Sequence, residues 1–139
     1  MKQILSVILV LLCTISCRKE APAPAASPNT VLLTAQSWQY DEYYSGHGTA
    51  TRKRVYKRNA TGNSADFSVY QYIFKQDGRF EVKMGDESIY SNWKFTDNEK
   101  VIEISSGSGS PTLLKVSVLD PETFEWVMDE YYAKMIPKK

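Results

Sequence analysis

The chain has 139 residues, 42% of them hydrophobic, with 17 basic against 16 acidic side chains, enough for one folded domain. A net charge of +1 argues against a protein held to nucleic acid by releasing counterions from phosphates, which needs a basic excess. All 3 Trp, 9 Tyr and 5 Phe lie between Trp38 and Tyr132, so a single hydrophobic core is expected in that stretch.

Lys2, the apolar run Ile4–Leu12 and the mostly small residues before Cys17 have the make-up of an export signal over residues 1–16. The run spans about a dozen residues, too few for a permanent membrane-crossing helix, which needs about 20. Ile15-Ser16-Cys17 resembles the lipobox of bacterial lipoproteins, with Thr14 where that family usually carries an aliphatic residue. The resemblance implies that Cys17 becomes the lipidated N-terminus and that the partner at this end is a membrane. Several acyl chains are then required, because one alone anchors weakly. With Cys13 lost in the signal and Cys17 acylated, no thiol remains for a disulfide or a zinc site. No Asp follows Cys17, and by the same resemblance this places the protein in the cell envelope, at the outer membrane.

Ala21-Pro22-Ala23-Pro24-Ala25-Ala26-Ser27-Pro28 is a low-complexity spacer that proline keeps extended. The expected organisation is therefore a signal over 1–16, a lipidated Cys and tether over 17–30, and a β-domain over 31–139. A short helix is expected from Asn29 to Gln36, capped by Asn29 or Thr30.

From Trp38 onward the pattern alternates with period two. Phe80, Val82 and Met84 share one face against Arg79, Glu81 and Lys83. Phe124, Trp126 and Met128 alternate likewise, as do Leu114, Val116 and Val118, Ile102 and Ile104, and Trp93 and Phe95. Such alternation is the mark of half-buried antiparallel strands. Strands are expected at 37–44, 49–58, 67–76, 79–84, 88–95, 100–105, 112–119 and 123–128, with 131–137 available to close the sheet. Asp77-Gly78 suits a two-residue primed hairpin turn. Gly85-Asp86, Asp97-Asn98, Asp120-Pro121 and the Gly/Ser-rich 107–111 mark other reversals. Eight short strands with short connections suit a closed meander barrel or a two-sheet sandwich.

Trp38 opening the first strand, Tyr72-Ile73-Phe74 before Asp77-Gly78 and Phe80, Trp93 in the next strand, and Leu113–Leu119 leading into Phe124-Glu125-Trp126 together resemble bacterial lipocalin-like lipoproteins. The likeness spans most of residues 31–136. It departs at Ser91, where such domains often carry Gly, and at Gln36-Ser37-Trp38, which lacks the Gly-x-Trp of true lipocalins. It implies an all-β, small antiparallel meander barrel of about eight strands.

Catalytic constellations are harder to assemble. His47 is the one histidine and sits in Ser45-Gly46-His47-Gly48, which reads as a solvated, flexible loop unable to hold a base in register. Carboxylates are scattered, and Glu122, Glu125, Glu81 and Glu103 read as outward faces of strands. No enzyme activity, metal or cofactor is expected. Arg52, Lys53, Arg54, Lys57 and Arg58 form a basic stretch with no acid between 46 and 65, beside an acidic excess over 77–130. This reads as a solvated strand whose charges keep an edge from pairing, with docking to an anionic surface as the rival. Tyr40, Tyr43 and Tyr44, with Tyr131 and Tyr132 from the far end of the chain, are candidates for an aromatic rim. The expected function is binding of a small apolar ligand lined by Trp38, Tyr40, Tyr72, Phe74, Phe80, Trp93 and Trp126. The alternative is a structural or interaction protein (an accessory subunit, inhibitor or immunity-type protein) meeting a protein partner through the barrel's outer face.

Overall fold

The computed structural model describes residues 25–107 and 109–139. The expected signal over 1–16, Cys17 and the first part of the tether lie outside them. One short helix, α1 (Pro28–Thr34), precedes nine strands: β1 (Ser37–Ser45), β2 (Lys53–Lys57), β3 (Tyr70–Phe74), β4 (Arg79–Met84), β5 (Glu87–Thr96), β6 (Val101–Ser105), β7 (Thr112–Leu119), β8 (Phe124–Met128) and β9 (Tyr131–Pro137). All pairings are antiparallel.

The ring closes through eight strands, β1-β3-β4-β5-β6-β7-β8-β9, with β9 returning to β1 over Trp38↔Pro137 to Tyr44↔Tyr132. The strand number expected from the sequence is right, but the membership differs. The stretch 131–137 is the closing strand, and β2 stands outside the ring. One edge of β1 is shared in tandem: its first residues, Ser37 and Trp38, pair with β3, and Glu42–Ser45 pair with β2. Among the described residues β2 has no neighbour on its far side, and its exposed Lys53 and Arg54 mark that edge with charge, as the edge-protection argument expects.

β2 is shorter than the predicted 49–58 because the chain turns through Gly46–Arg52 first. Gly46 has φ 65°, and a Cβ there would meet the Thr51 carbonyl oxygen at 2.9 Å. Thr49 Oγ donates to the Gly46 carbonyl at 2.8 Å and tightens the turn. β3 starts later than predicted because Asp66 Oδ1 accepts from the Ser68 N–H at 2.8 Å, a side-chain turn that competes with strand. The 74–79 reversal also corrects an expectation. Only Gly78 has positive φ there, at 84°, and the Gly78 N–H donates to the Lys75 carbonyl while the Lys75 N–H donates to Arg79. That is a three-residue loop with a glycine bulge rather than a primed two-residue turn.

Ser27 caps α1, its Oγ accepting from the Thr30 N–H at 3.1 Å, and Pro28 occupies the first turn. The helix thus begins inside the stretch read as tether, and neither Asn29 nor Thr30 is its cap. The Ser-Pro pair is the sequence signal, since proline's fixed φ suits the first helical position. α1 packs against β3 and β7 and closes one pole of the barrel. Leu33 is fully buried, and its carbonyl accepts from Trp38 Nε1 at 3.0 Å.

Above this plug lies a dense aromatic layer. Trp38 meets Phe124 edge-on at 5.6 Å, and Phe74 meets Phe80 at 4.6 Å and Trp93 at 5.4 Å. Ile102 and Met135 are fully buried in the same core. The Trp93 indole finds its partner in the Lys75 carbonyl at 2.9 Å.

Candidate functional site in the open half of the barrel

The upper half of the barrel is built differently. β1 carries a bulge: the register with β9 runs Tyr40↔Met135 and then Glu42↔Lys134, leaving Asp41 without an opposite number. One extra residue reverses the alternation, so Tyr40 and Tyr43 both point inward while Glu42 and Tyr44 point out. Above Trp38, β1 also parts from β3. The seam is filled by the 58–69 connection, from which Phe67 packs on Tyr40 at 5.1 Å and on Tyr43 at 5.0 Å. Arg58 holds the bulge, its Nε donating to the Tyr40 carbonyl at 2.8 Å and its N–H to that of Asp41 at 2.7 Å.

Inside lies a cavity of about 270 Å³ lined by Tyr40, Tyr43, Tyr72, Phe80, Val82, Ile104, Thr112, Leu114, Trp126 and Met128. Among the described residues no lining side chain is charged. Its polar groups are hydroxyls and the Trp126 indole, whose Nε1 donates to Met135 Sδ at 3.3 Å. Tyr40 and Tyr72 hydrogen-bond to each other at 2.7 Å. Burial drives the Tyr40 phenol well above its ordinary pKa, with Tyr72 adding to the effect. Burial raises Tyr72 as well, against a lowering by its bond to Tyr40. Tyr43 is pushed up to about 12, again chiefly by burial. These phenols are therefore neutral near pH 7.

Of the residues nominated from the sequence, the structure brings Tyr40, Tyr72, Phe80 and Trp126 together around this cavity. Trp38, Phe74 and Trp93 sit below it in the packed aromatic layer and are not among its lining. Val82, Ile104, Leu114 and Met128 were legible as inward positions of their strands but not as site residues. Thr112 and Phe67 carried no such signal, since one is a polar strand start and the other lies in a connection.

The tyrosine rim forms, divided by the bulge. Tyr43 stacks on Tyr131 at 5.8 Å. On the outer face Tyr44 meets Tyr132 at 5.9 Å, and the Arg52 guanidinium lies over Tyr44 at 4.3 Å. His47 stacks on Tyr132 at 5.3 Å, and its N–H donates to the Glu130 carbonyl at 2.7 Å. The histidine is therefore half-buried on a tied-down turn, not solvated on a flexible one, because the Tyr132 ring gives it an apolar face to cover. Glu81 differs similarly from its expectation. It points outward yet is 7% exposed, covered by Lys75 at 3.7 Å, Lys83 at 3.9 Å and the Ser88 hydroxyl at 3.0 Å. A second concavity of about 240 Å³ lies there, lined by Lys75, Arg79 and Glu81 among others. Its lining carries Lys75, Arg79 and Glu81, so the uncharged barrel interior is the stronger site for an apolar ligand.

The sequence matches no family model and no curated protein. Among solved structures the chain is similar to a DUF4847 family protein from Bacteroides vulgatus, with a TM-score of 0.55 at 12% identity, over 77% of this chain and 95% of that one. It is also similar to a lipocalin-like protein from Bacteroides uniformis, with a TM-score of 0.52 at 14% identity, over 77% and 99%. The fold is a lipocalin-like barrel. At such identities the likeness speaks for the architecture, and the site must be argued from its own residues.

Proposed function

We propose that this lipocalin-like chain is an envelope lipoprotein that holds a small apolar ligand in the open half of its barrel. The observation that carries the proposal is the apolar cavity of about 270 Å³ bounded by Tyr40, Tyr72, Val82, Leu114, Trp126 and Met128. Eight-stranded barrels have room for packed side chains or one small ligand, and here the aromatic filling stops halfway. The volume sits just below the ~300–1,000 Å³ of drug-sized sites, which sets the ligand at about the size of a one- or two-ring molecule. An interior filled to both poles would instead have favoured a role confined to the outer surface.

Native mass spectrometry of the purified chain is the direct test. We expect a co-purifying small molecule in the wild type and its loss in Val82→Phe, which fills the cavity from its wall. An equal load in both proteins would place the ligand elsewhere. The anchor is tested separately: Cys17→Ser should release the protein from membranes, and undiminished retention would end the lipoprotein reading.

A further inference from the structure

We propose that the barrel cavity selects a neutral ligand bearing one hydrogen-bond acceptor, such as a ketone or ester on a small apolar body, and disfavours carboxylates of the same size. The inference rests on the ligand-binding reading above and supplies the chemistry of the ligand.

Tyr40 and Tyr72 both line the cavity, with their hydroxyls 2.7 Å apart. In such a pair one phenol donates to the other, and the accepting phenol keeps a proton of its own. Among the described residues neither hydroxyl has another partner. The leftover donor lies among largely apolar walls whose other polar groups are the Tyr43 and Thr112 hydroxyls and the Trp126 indole, and a polar group left unsatisfied there is unfavourable. A single acceptor atom on the ligand completes the set, and a ligand donor can use the remaining lone pairs only by competing with that arrangement.

The same geometry disfavours a negative charge. Among the described residues the lining holds no Lys, Arg or His. Arg58, the cation that meets Tyr40, donates its Nε to the Tyr40 backbone carbonyl at 2.8 Å; its buried Nη2 has no partner among the described residues, but Arg58 is not one of the lining residues. Lys57 pairs with Glu42 on the outer face. A carboxylate in the chamber would therefore give up its water without gaining a counterion.

The test compares three probes of one size on the chain: 2-acetylnaphthalene, 2-ethylnaphthalene and 2-naphthoate, followed by NMR at the Trp126 indole and the Met128 methyl. We expect the ketone to bind about fivefold tighter than the hydrocarbon, the difference made by one neutral hydrogen bond. The carboxylate should bind more weakly than either. Because each phenol alone retains a proton to donate, the informative variant is Tyr40→Phe with Tyr72→Phe. It should bring the ketone down to the hydrocarbon's affinity measured in the same variant, whose saturable hydrocarbon binding reports an intact barrel. Should that variant lose its fold, the wild-type ranking of the three probes still decides. Naphthoate binding as tightly as ethylnaphthalene, or a ketone preference that survives in a folded double variant, would overturn the proposal. Failure of all three probes to shift Trp126 or Met128 would instead remove the ligand-binding reading beneath it.

Discussion

Tyr43 is where the local chemistry is most exposed to test. Its phenol is held protonated to about pH 12 in the folded chain, largely by burial, against an ordinary value near 10. The folded state therefore binds this proton more tightly than the unfolded state does. Its contribution is fully present below pH 10 and fades as pH rises from there toward 12. The raised Tyr40 and Tyr72 act in the same direction. We expect the urea midpoint to fall between pH 10 and 12, and Tyr43→Phe to flatten that fall. A midpoint in this window that the substitution leaves unaltered would contradict the assignment. At this scale the sequence is a good guide to which side chains are buried. Trp38, Phe74, Phe80, Trp93 and Trp126 are all in the core, because their strands alternate cleanly. It is a poor guide to which of them border empty space, since that depends on where the packing stops across the barrel.

Among the elements, β5 has an uneven neighbourhood. All of Glu87–Asn92 faces β4, but pairing with β6 begins only at Asn92. The Trp93 N–H points to Gly78 at the β4 end. By antiparallel alternation those of Ser91 and Ile89 also point toward β4, and those of Ser88 and Tyr90 point to the unpaired side. A proline lacks this donor, so the two neighbours should respond in opposite ways. Tyr90→Pro should leave the thermal midpoint nearly unchanged, whereas Ile89→Pro, which removes a ladder hydrogen bond and strands its β4 acceptor, should lower it, by about 1–3 kcal/mol of stability. Equal effects would mean that the register differs from the one described. Most strands and turns were legible from period-two alternation and Gly or Asp-rich reversals. The Asp41 bulge was not, because Tyr40, Tyr43 and Tyr44 read equally well with or without a skipped residue. The ejection of β2 from the ring follows from β1 dividing one edge between two partners, a long-range choice that no local pattern encodes.

The whole molecule is densely packed at one pole and hollow at the other. Phe124 is fully buried in the aromatic layer, so Phe124→Ala should cost about 3–5 kcal/mol through the void it leaves. Met128 already borders the cavity, and Met128→Ala should fall at or below the low end of the ~2–5 kcal/mol usual for Met→Ala in a core, because fewer neighbours are lost. Denaturant titration of the two variants distinguishes a graded interior from a uniformly packed one, which would give similar losses.

The described chain begins and ends at the packed pole: Ser27 caps the helical plug, and the Lys138 N–H donates to the Ser37 carbonyl at 2.9 Å. Both ends of the described chain therefore lie at the base, and a bead or fusion joined directly to either would leave the mouth of the barrel unobstructed.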